Sequence, residues 1–185
     1  YSGHLLHFKS QYAFNLVKSL LGGNLAEHRR SAWVYISKRY IPYPFQANLY
    51  KMPEKARKEC LSGLIKASNK YGQTDNKQDN NFLNWIVRTF GKGIARHFLV
   101  PYNAKFWTVE PEHMTCDWLD GFIPVPSLDQ ILKGAVKYSK GEYGYNARFW
   151  YPKNSGIVSL PNALAGEIKN IHTGCEVKKI DLRKK

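Results

Sequence analysis

Acidic side chains, long apolar runs and paired cysteines are all scarce in this 185-residue chain, and each scarcity excludes something. No apolar run approaches the ~20 residues that a membrane-crossing helix needs, and the first residues are not a charged head followed by a hydrophobic block. The chain therefore reads as soluble and cytoplasmic, with no membrane span. The 3 cysteines, Cys60, Cys116 and Cys175, are odd in number and widely spaced, which suits reduced thiols better than a disulfide framework. None has a CxxC partner, and no HxxxH or HxxEH spacing occurs, so no metal site is expected. No GxGxxG follows a strand and no GxxxxGKS or GxxxxGKT is present, so a phosphate-binding loop is missing too. The absence of GxSxG leaves nothing to mark a nucleophile, and no residue is assigned a catalytic role.

With 14 acidic residues against 28 lysines and arginines, the formal charge is +14. Such a charge invites a nucleic-acid partner, because cations that neutralise phosphates supply most sequence-independent affinity. Except for "HRR" at 28 to 30 and the terminal "LRKK", however, the cations are scattered singly, and no helix-turn-helix or zinc-finger spacing appears. A solvated basic surface is the better reading, and no nucleic-acid partner is expected.

What the chain does have is apolar and aromatic content. At 43% hydrophobic it can bury a core, so residues 1–185 are expected to form a single domain. "YAFNLVKSLLGG" carries Phe14, Val17, Leu20 and Leu21 at helical spacing before a glycine stop. "SAWVYISKRYIPYPF" predicts a hairpin turning at "SKR", with Pro42 and Pro44 pushing its second strand to an edge or loop. From Pro53, Ala56, Cys60, Leu64 and Ala67 recur on one helical face. "NKYGQTDNKQDNN" predicts a solvated loop, and "NFLNWIVRTFG" a helix through Phe82, Trp85, Ile86 and Phe90. "GIARHFLVP" predicts a helical piece stopped by Pro101. Ser127 and Gln130 in "SLDQILKGAVK" form a capping-box pattern. "ARFWYP" reads as a strand, "GIVSLPNALAGEIKNI" as a helix and "CEVKKIDL" as a final strand. The expected class is α+β, helix-rich, with a small and mostly antiparallel sheet.

Three stretches carry the chemistry. "YIPYPFQ", "FLVPYNAKFW" and "GYNARFWYP" each join aromatic rings to an amide side chain beside a proline or glycine. Rings bury area at low entropic cost while polar tips still bond, which suits a pocket for a base or sugar. Any single ring among Tyr43, Phe45, Trp107 and Trp150 is better read as core. Three clusters, each with Gln46, Asn103 or Asn146, favour a shared pocket.

"YIPYPFQANLYKMPEKARKECLSGLI", "FLNWIVRTFGKGIARHFLVPYNAKFW" and "MTCDWL" together resemble the central part of UDP-galactopyranose mutases, most closely the eukaryotic type. That family belongs to the wider FAD-dependent group with amine oxidases and protoporphyrinogen oxidases. The resemblance implies a substrate-binding cap excised from a two-domain flavoprotein, with FAD-binding segments lying before and after this chain. FAD would be bound by the intact parent and not by this portion, which alone would be inactive. By the same resemblance His4 and Arg30 lie near the flavin, and Tyr43, Phe45 and Gln46 line a pocket for uracil. Phe98, Asn103 and Trp107 would hold ribose and diphosphate, and Asn146 would contact the nucleotide. The implied partners are a nucleotide-sugar substrate and the rest of the flavoprotein chain, in the biosynthesis of cell-surface polysaccharide or lipopolysaccharide. The flavin would do the covalent chemistry of ring interconversion while the protein supplies orientation and charge. The alternative is a flavin oxidoreductase of the amine oxidase type, and a binding module for anionic polymers ranks third. One position departs from the mutase pattern: Phe122 stands where an arginine binds the substrate diphosphate. Arg148 and Lys153 are the candidates to replace that charge.

Overall fold

The computed structural model describes residues 4–72, 81–119, 121–138 and 147–182. Along the chain run α1 (Gln11–Leu21), β1 (Leu25–Arg29), β2 (Trp33–Ile36), β3 (Arg39–Pro42), α2 (Glu54–Tyr71) and α3 (Phe82–Ile94). A π turn at Ala95–Leu99 comes next, then α4 (Val100–Trp107), α5 (Leu128–Val136), β4 (Arg148–Pro152) and α6 (Ser159–Gly166). The class is α+β and helix-rich, with two small two-stranded sheets among the described residues. Residues 29–147 make one compact unit; the residues before 29 and after 147 make another.

In the first of these units, β2 and β3 pair antiparallel from Trp33 opposite Pro42 to Ile36 opposite Arg39. Ser37 and Lys38 both take positive φ (51° and 58°), the two-residue turn geometry that matches the twist of a hairpin. Pro42 ends β3, and the next amide, of Tyr43, still donates to the Ala32 carbonyl at 2.9 Å. After Pro53, α2 buries Cys60, Leu64 and Ala67 on the face its spacing predicts. Burial, with the neighbouring charge of Glu59 adding to it, pushes the Cys60 thiol up to about 12, so it is a protonated core group.

α3 starts from a side-chain cap, Asn81 accepting from the Asn84 amide at 3.1 Å, and buries Phe82, Trp85, Ile86 and Phe90. Part of the predicted solvated loop, 73–80, lies outside the described residues. At Gly91 the helix kinks, with φ 77° and ψ 163°. A Cβ there would come within 2.2 Å of the Gly63 carbonyl group on α2, so both the dihedral and the close approach demand glycine. Pro101 does not stop the chain, contrary to the sequence expectation. The π turn changes the hydrogen-bond register before it, so Pro101 falls in the first turn of α4, where its missing N–H is tolerated.

Ser127 and Gln130 complete a reciprocal capping box at the start of α5: the Gln130 amide donates to Ser127 Oγ (3.2 Å) and the Ser127 amide to Gln130 Oε1 (2.8 Å). This helix presses on the 45–47 turn, where a Cβ on Gly134 would sit 1.9 Å from the Ala47 carbonyl oxygen. The unit's core gathers Ile41, Phe45, Leu49 and Met52 from the hairpin side with residues of α2, α3, the π turn and α5.

In the other unit, α1 ends where Gly22 takes φ 52° and packs against α6. β1 pairs with β4, and Leu6 bridges Trp150 through two backbone bonds of 3.1 and 2.9 Å. α6 is shorter than its pattern predicts, ending at Gly166. The strand expected at "CEVKKIDL" is not formed. Residues 175–182 are exposed throughout and pair with no strand among the described residues, so no ladder there completes a sheet with them.

Two outcomes are expected at the helix crossing. Gly91→Ala should lower unfolding free energy by about 3 kcal/mol or more, since it adds both strain and a clash with α2; chemical denaturation checks this. Glu59 on α2 meets His97 Nε2 at 2.8 Å, with Arg96 at 4.0 Å. The His97 hydrogen bond chiefly holds the Glu59 carboxyl below its ordinary 4.5; partial burial opposes it, and the charges of His97, Arg96 and Lys55 help. A lowered folded-state value means the contribution is complete above about pH 4.5 and is lost as pH falls through the folded-state value. The Tm difference between wild type and Glu59→Gln should therefore be present near neutrality and close in acid, as thermal melts across pH would record.

Candidate functional site

Helical spacing across the π turn puts Phe98, Tyr102 and Phe106 in register on one side of a continuous helical path. Their rings form a ladder that leads out of the core. Phe45 stacks on Phe98 at 4.7 Å, Phe98 meets Tyr102 at 5.0 Å, and Tyr102 stacks on Phe106 at 5.9 Å. Phe106 then contacts Trp107 edge to face at 4.8 Å, and Trp107 contacts Trp118 at 5.3 Å.

The outer half of this ladder forms the wall of a cavity of about 810 Å³. α4 contributes Tyr102, Asn103, Phe106 and Trp107; the hairpin and its flanks contribute Arg30, Ala32, Trp33, Val34 and Tyr43. Met114, Trp118 and Phe122 close the remaining side. This volume falls in the range of small-molecule sites, and most of the described lining is aromatic or apolar. Asn103 is 4% exposed, and its amide donates to the Leu99 carbonyl at 2.7 Å, which fixes its orientation toward the wall. Trp118 is held by its indole N–H donating to the Thr115 carbonyl at 2.9 Å.

Of the residues proposed from sequence, Tyr43, Asn103, Trp107 and Arg30 come together on this wall. Phe45, Gln46 and Phe98 do not line it. They are core residues: Phe45 is fully buried, Gln46 is 1% exposed and Phe98 stacks on Phe45. The reason is the approach of α5, which covers the 45–47 turn at Gly134. Gln46 Nε2 donates to the Pro124 carbonyl at 2.6 Å, while its Oε1 is buried with no partner among the described residues. Asn146 lies outside the described residues. Arg148, a candidate to replace the missing charge, pairs with Glu27 at 3.2 Å in the unit that also holds Lys153.

Trp33 and Trp118 on the wall were not singled out from sequence. The signal was present for Trp33, an exposed tryptophan on a short strand beside Tyr35, and for Trp118 only as part of "MTCDWL". A second groove, of about 910 Å³, lies between α2 and α3 and is lined by Lys58, Lys66, Lys70, Lys92 and Arg96 with one ring, Tyr71. It lacks the pairing of rings and amides, and reads as solvated cationic surface.

His4 is exposed with φ 42°, and belongs to a different unit from Arg30. Among the described residues no strand opens through a GxGxxG turn into a helix. No group of three metal-ligating side chains occurs among them, and none of their helices is long and apolar enough to cross a membrane.

No protein-family model matches the sequence. The fold is similar to a solved structure, "Crystal structure of reduced UDP-Galactopyranose mutase", with a TM-score of 0.78 and 31% sequence identity. The match covers 90% of this chain and 35% of that one, so the chain spans about a third of the length of the mutase it matches. Over that span the chain has a mutase-like fold.

The burial of Phe45 makes a direct test of the boundary between core and wall. Phe45→Ala should cost about 3 to 5 kcal/mol of stability, as loss of a core phenylalanine does, measured by denaturant unfolding.

Proposed function

We propose that this chain is the substrate-binding part of an FAD-dependent enzyme that acts on a nucleotide-linked sugar in cell-surface polysaccharide or lipopolysaccharide biosynthesis. The observation that carries the reading is the ring-lined cavity that gathers Tyr43, Asn103 and Trp107 from separate stretches, with the guanidinium of Arg30 on its wall. Likeness to a UDP-galactopyranose mutase over 90% of the chain supports it. In this reading a planar base lies against Trp107 and Tyr43, Asn103 bonds the ribose or base, and Arg30 meets phosphate. Phe45, Gln46 and Phe98 act from behind, keeping the wall rigid. FAD is held by other parts of the parent protein, in the cytoplasm, and no reaction step is assigned to it through the residues described.

A second reading, an oxidoreductase of the amine oxidase type, is favoured by one observation: the ring of Phe122 lies on the wall. An apolar ring there suits an uncharged or aminated substrate better than a diphosphate.

One set of measurements on the full-length protein tests the first reading against the second. A nucleotide-sugar enzyme of the mutase kind should require reduced flavin yet consume no reductant per turnover. Trp107→Ala should weaken its nucleotide binding by about tenfold, the scale of one lost base stack, with Tm nearly unchanged because Trp107 is 42% exposed. Amine oxidation with peroxide release, and no change in any nucleotide sugar, would put the second reading in its place.

A further inference from the structure

Trp33 stands on the wall of the cavity and is half exposed, a situation in which an indole ordinarily has several staggered rotamers open to it. Here it is held at two points. Its Nε1–H donates to Ser31 Oγ at 3.2 Å, and the Lys51 ammonium lies over the ring, 5.1 Å from its centroid.

Lys51 is itself anchored. It ends the short turn Leu49–Lys51, between the fully buried Leu49 and the buried Met52, whose amide donates to the Leu49 carbonyl at 2.9 Å. Arg39 Nη1, from β3, donates to the Lys51 carbonyl at 2.9 Å, which ties this turn to the hairpin that carries Trp33. The same ammonium lies 5.8 Å from the Tyr50 ring, so one cation bridges two aromatic faces. The backbone under Lys51 is thus fixed relative to the ring that its side chain covers.

We propose that Lys51 is a positioning residue of the cavity: lying over Trp33 from outside the described lining, it fixes the indole in the orientation against which a flat ring of the ligand stacks. This rests on the nucleotide reading of the site given above. An indole ordered before the ligand arrives leaves less entropy to be lost on binding, so the lysine strengthens stacking without touching the ligand.

The first measurement needs no ligand. In full-length protein labelled with fluorotryptophan, the fluorine NMR resonance that disappears in Trp33→Phe belongs to Trp33. Lys51→Met should move that resonance toward the position of free fluorotryptophan, and Lys51→Arg, which keeps a cation over the ring, should leave it near the wild-type position. An unmoved resonance in Lys51→Met would overturn the proposal. The second measurement is calorimetric titration with UDP. Lys51→Met should weaken binding about two- to fivefold, the range of one exposed cation–π pair, with Lys51→Arg close to wild type. In a Trp33→Leu background the same change should have no effect, because the ring through which Lys51 acts is gone. A loss of equal size in that background would mean that Lys51 meets the phosphates itself, and unchanged affinity in Lys51→Met would mean that the ring needs no support. Either result overturns the positioning role and leaves the nucleotide reading standing. If UDP does not bind the wild type at millimolar concentration, the nucleotide reading falls and this role falls with it.

Discussion

The crossing of α2 over α3 at bare backbone is the constraint on which the larger unit depends. Gly63, Gly91 and Gly93 bring the two helices so close that an added Cβ at any of the three would lie within 2.8 Å of backbone atoms across the interface. At Gly91 the chain also takes a positive φ, and that bend sets the direction in which the π turn and α4 leave the crossing. Without the bend, Phe98, Tyr102 and Phe106 would depart along another line, and no wall would face the hairpin. A packing requirement between two helices thus becomes a requirement of the candidate site.

The ring ladder transmits this placement outward. Phe45 and Phe98 are anchored in close-packed surroundings, where side chains sit in few rotamers, and each outer ring rests on the one before it. Exposure rises from nil at Phe45 to about half at Tyr102 and beyond at Phe106. A ligand ring entering the cavity would meet aromatic surfaces already fixed from behind, so little ordering entropy remains to be lost on binding.

Periodicity made much of the fold legible in the sequence. Cys60, Leu64 and Ala67 repeat at helical spacing on α2, and Ser127 with Gln130 announces the start of α5 through local chemistry alone. The failures lie where an element depends on a distant partner. "CEVKKIDL" has strand-like alternation, but a strand is completed by its neighbour, and none of the described strands is beside it. Pro101 reads as a stop because the π turn that accommodates it has no local signature. The site was half legible for the same reason: the pairing of rings with amides marks "YPFQ" and "PYNAKFW" alike, yet wall and core use the same residues. Only the approach of α5 onto Ala47, permitted by Gly134, decides that Phe45 and Gln46 are core while Tyr43, two residues earlier, is wall.

Net charge is a poor guide to this site. The chain carries 14 positive charges in excess, yet among the described residues one that lines the cavity is charged, while 5 cations and 1 carboxylate line the groove between α2 and α3. That groove is floored by the glycine crossing, and long lysine stems spread on either side of a place where the helix axes approach too closely for side chains. Charge collects there because the crossing leaves exposed helix flanks to be solvated, and lysine solvates them at little cost in packing. The cavity is the opposite case: rings make up most of its described lining, and several of them are partly open to solvent. Arg30, the charged residue of the described lining, is itself exposed, so its guanidinium keeps its water beside the rings.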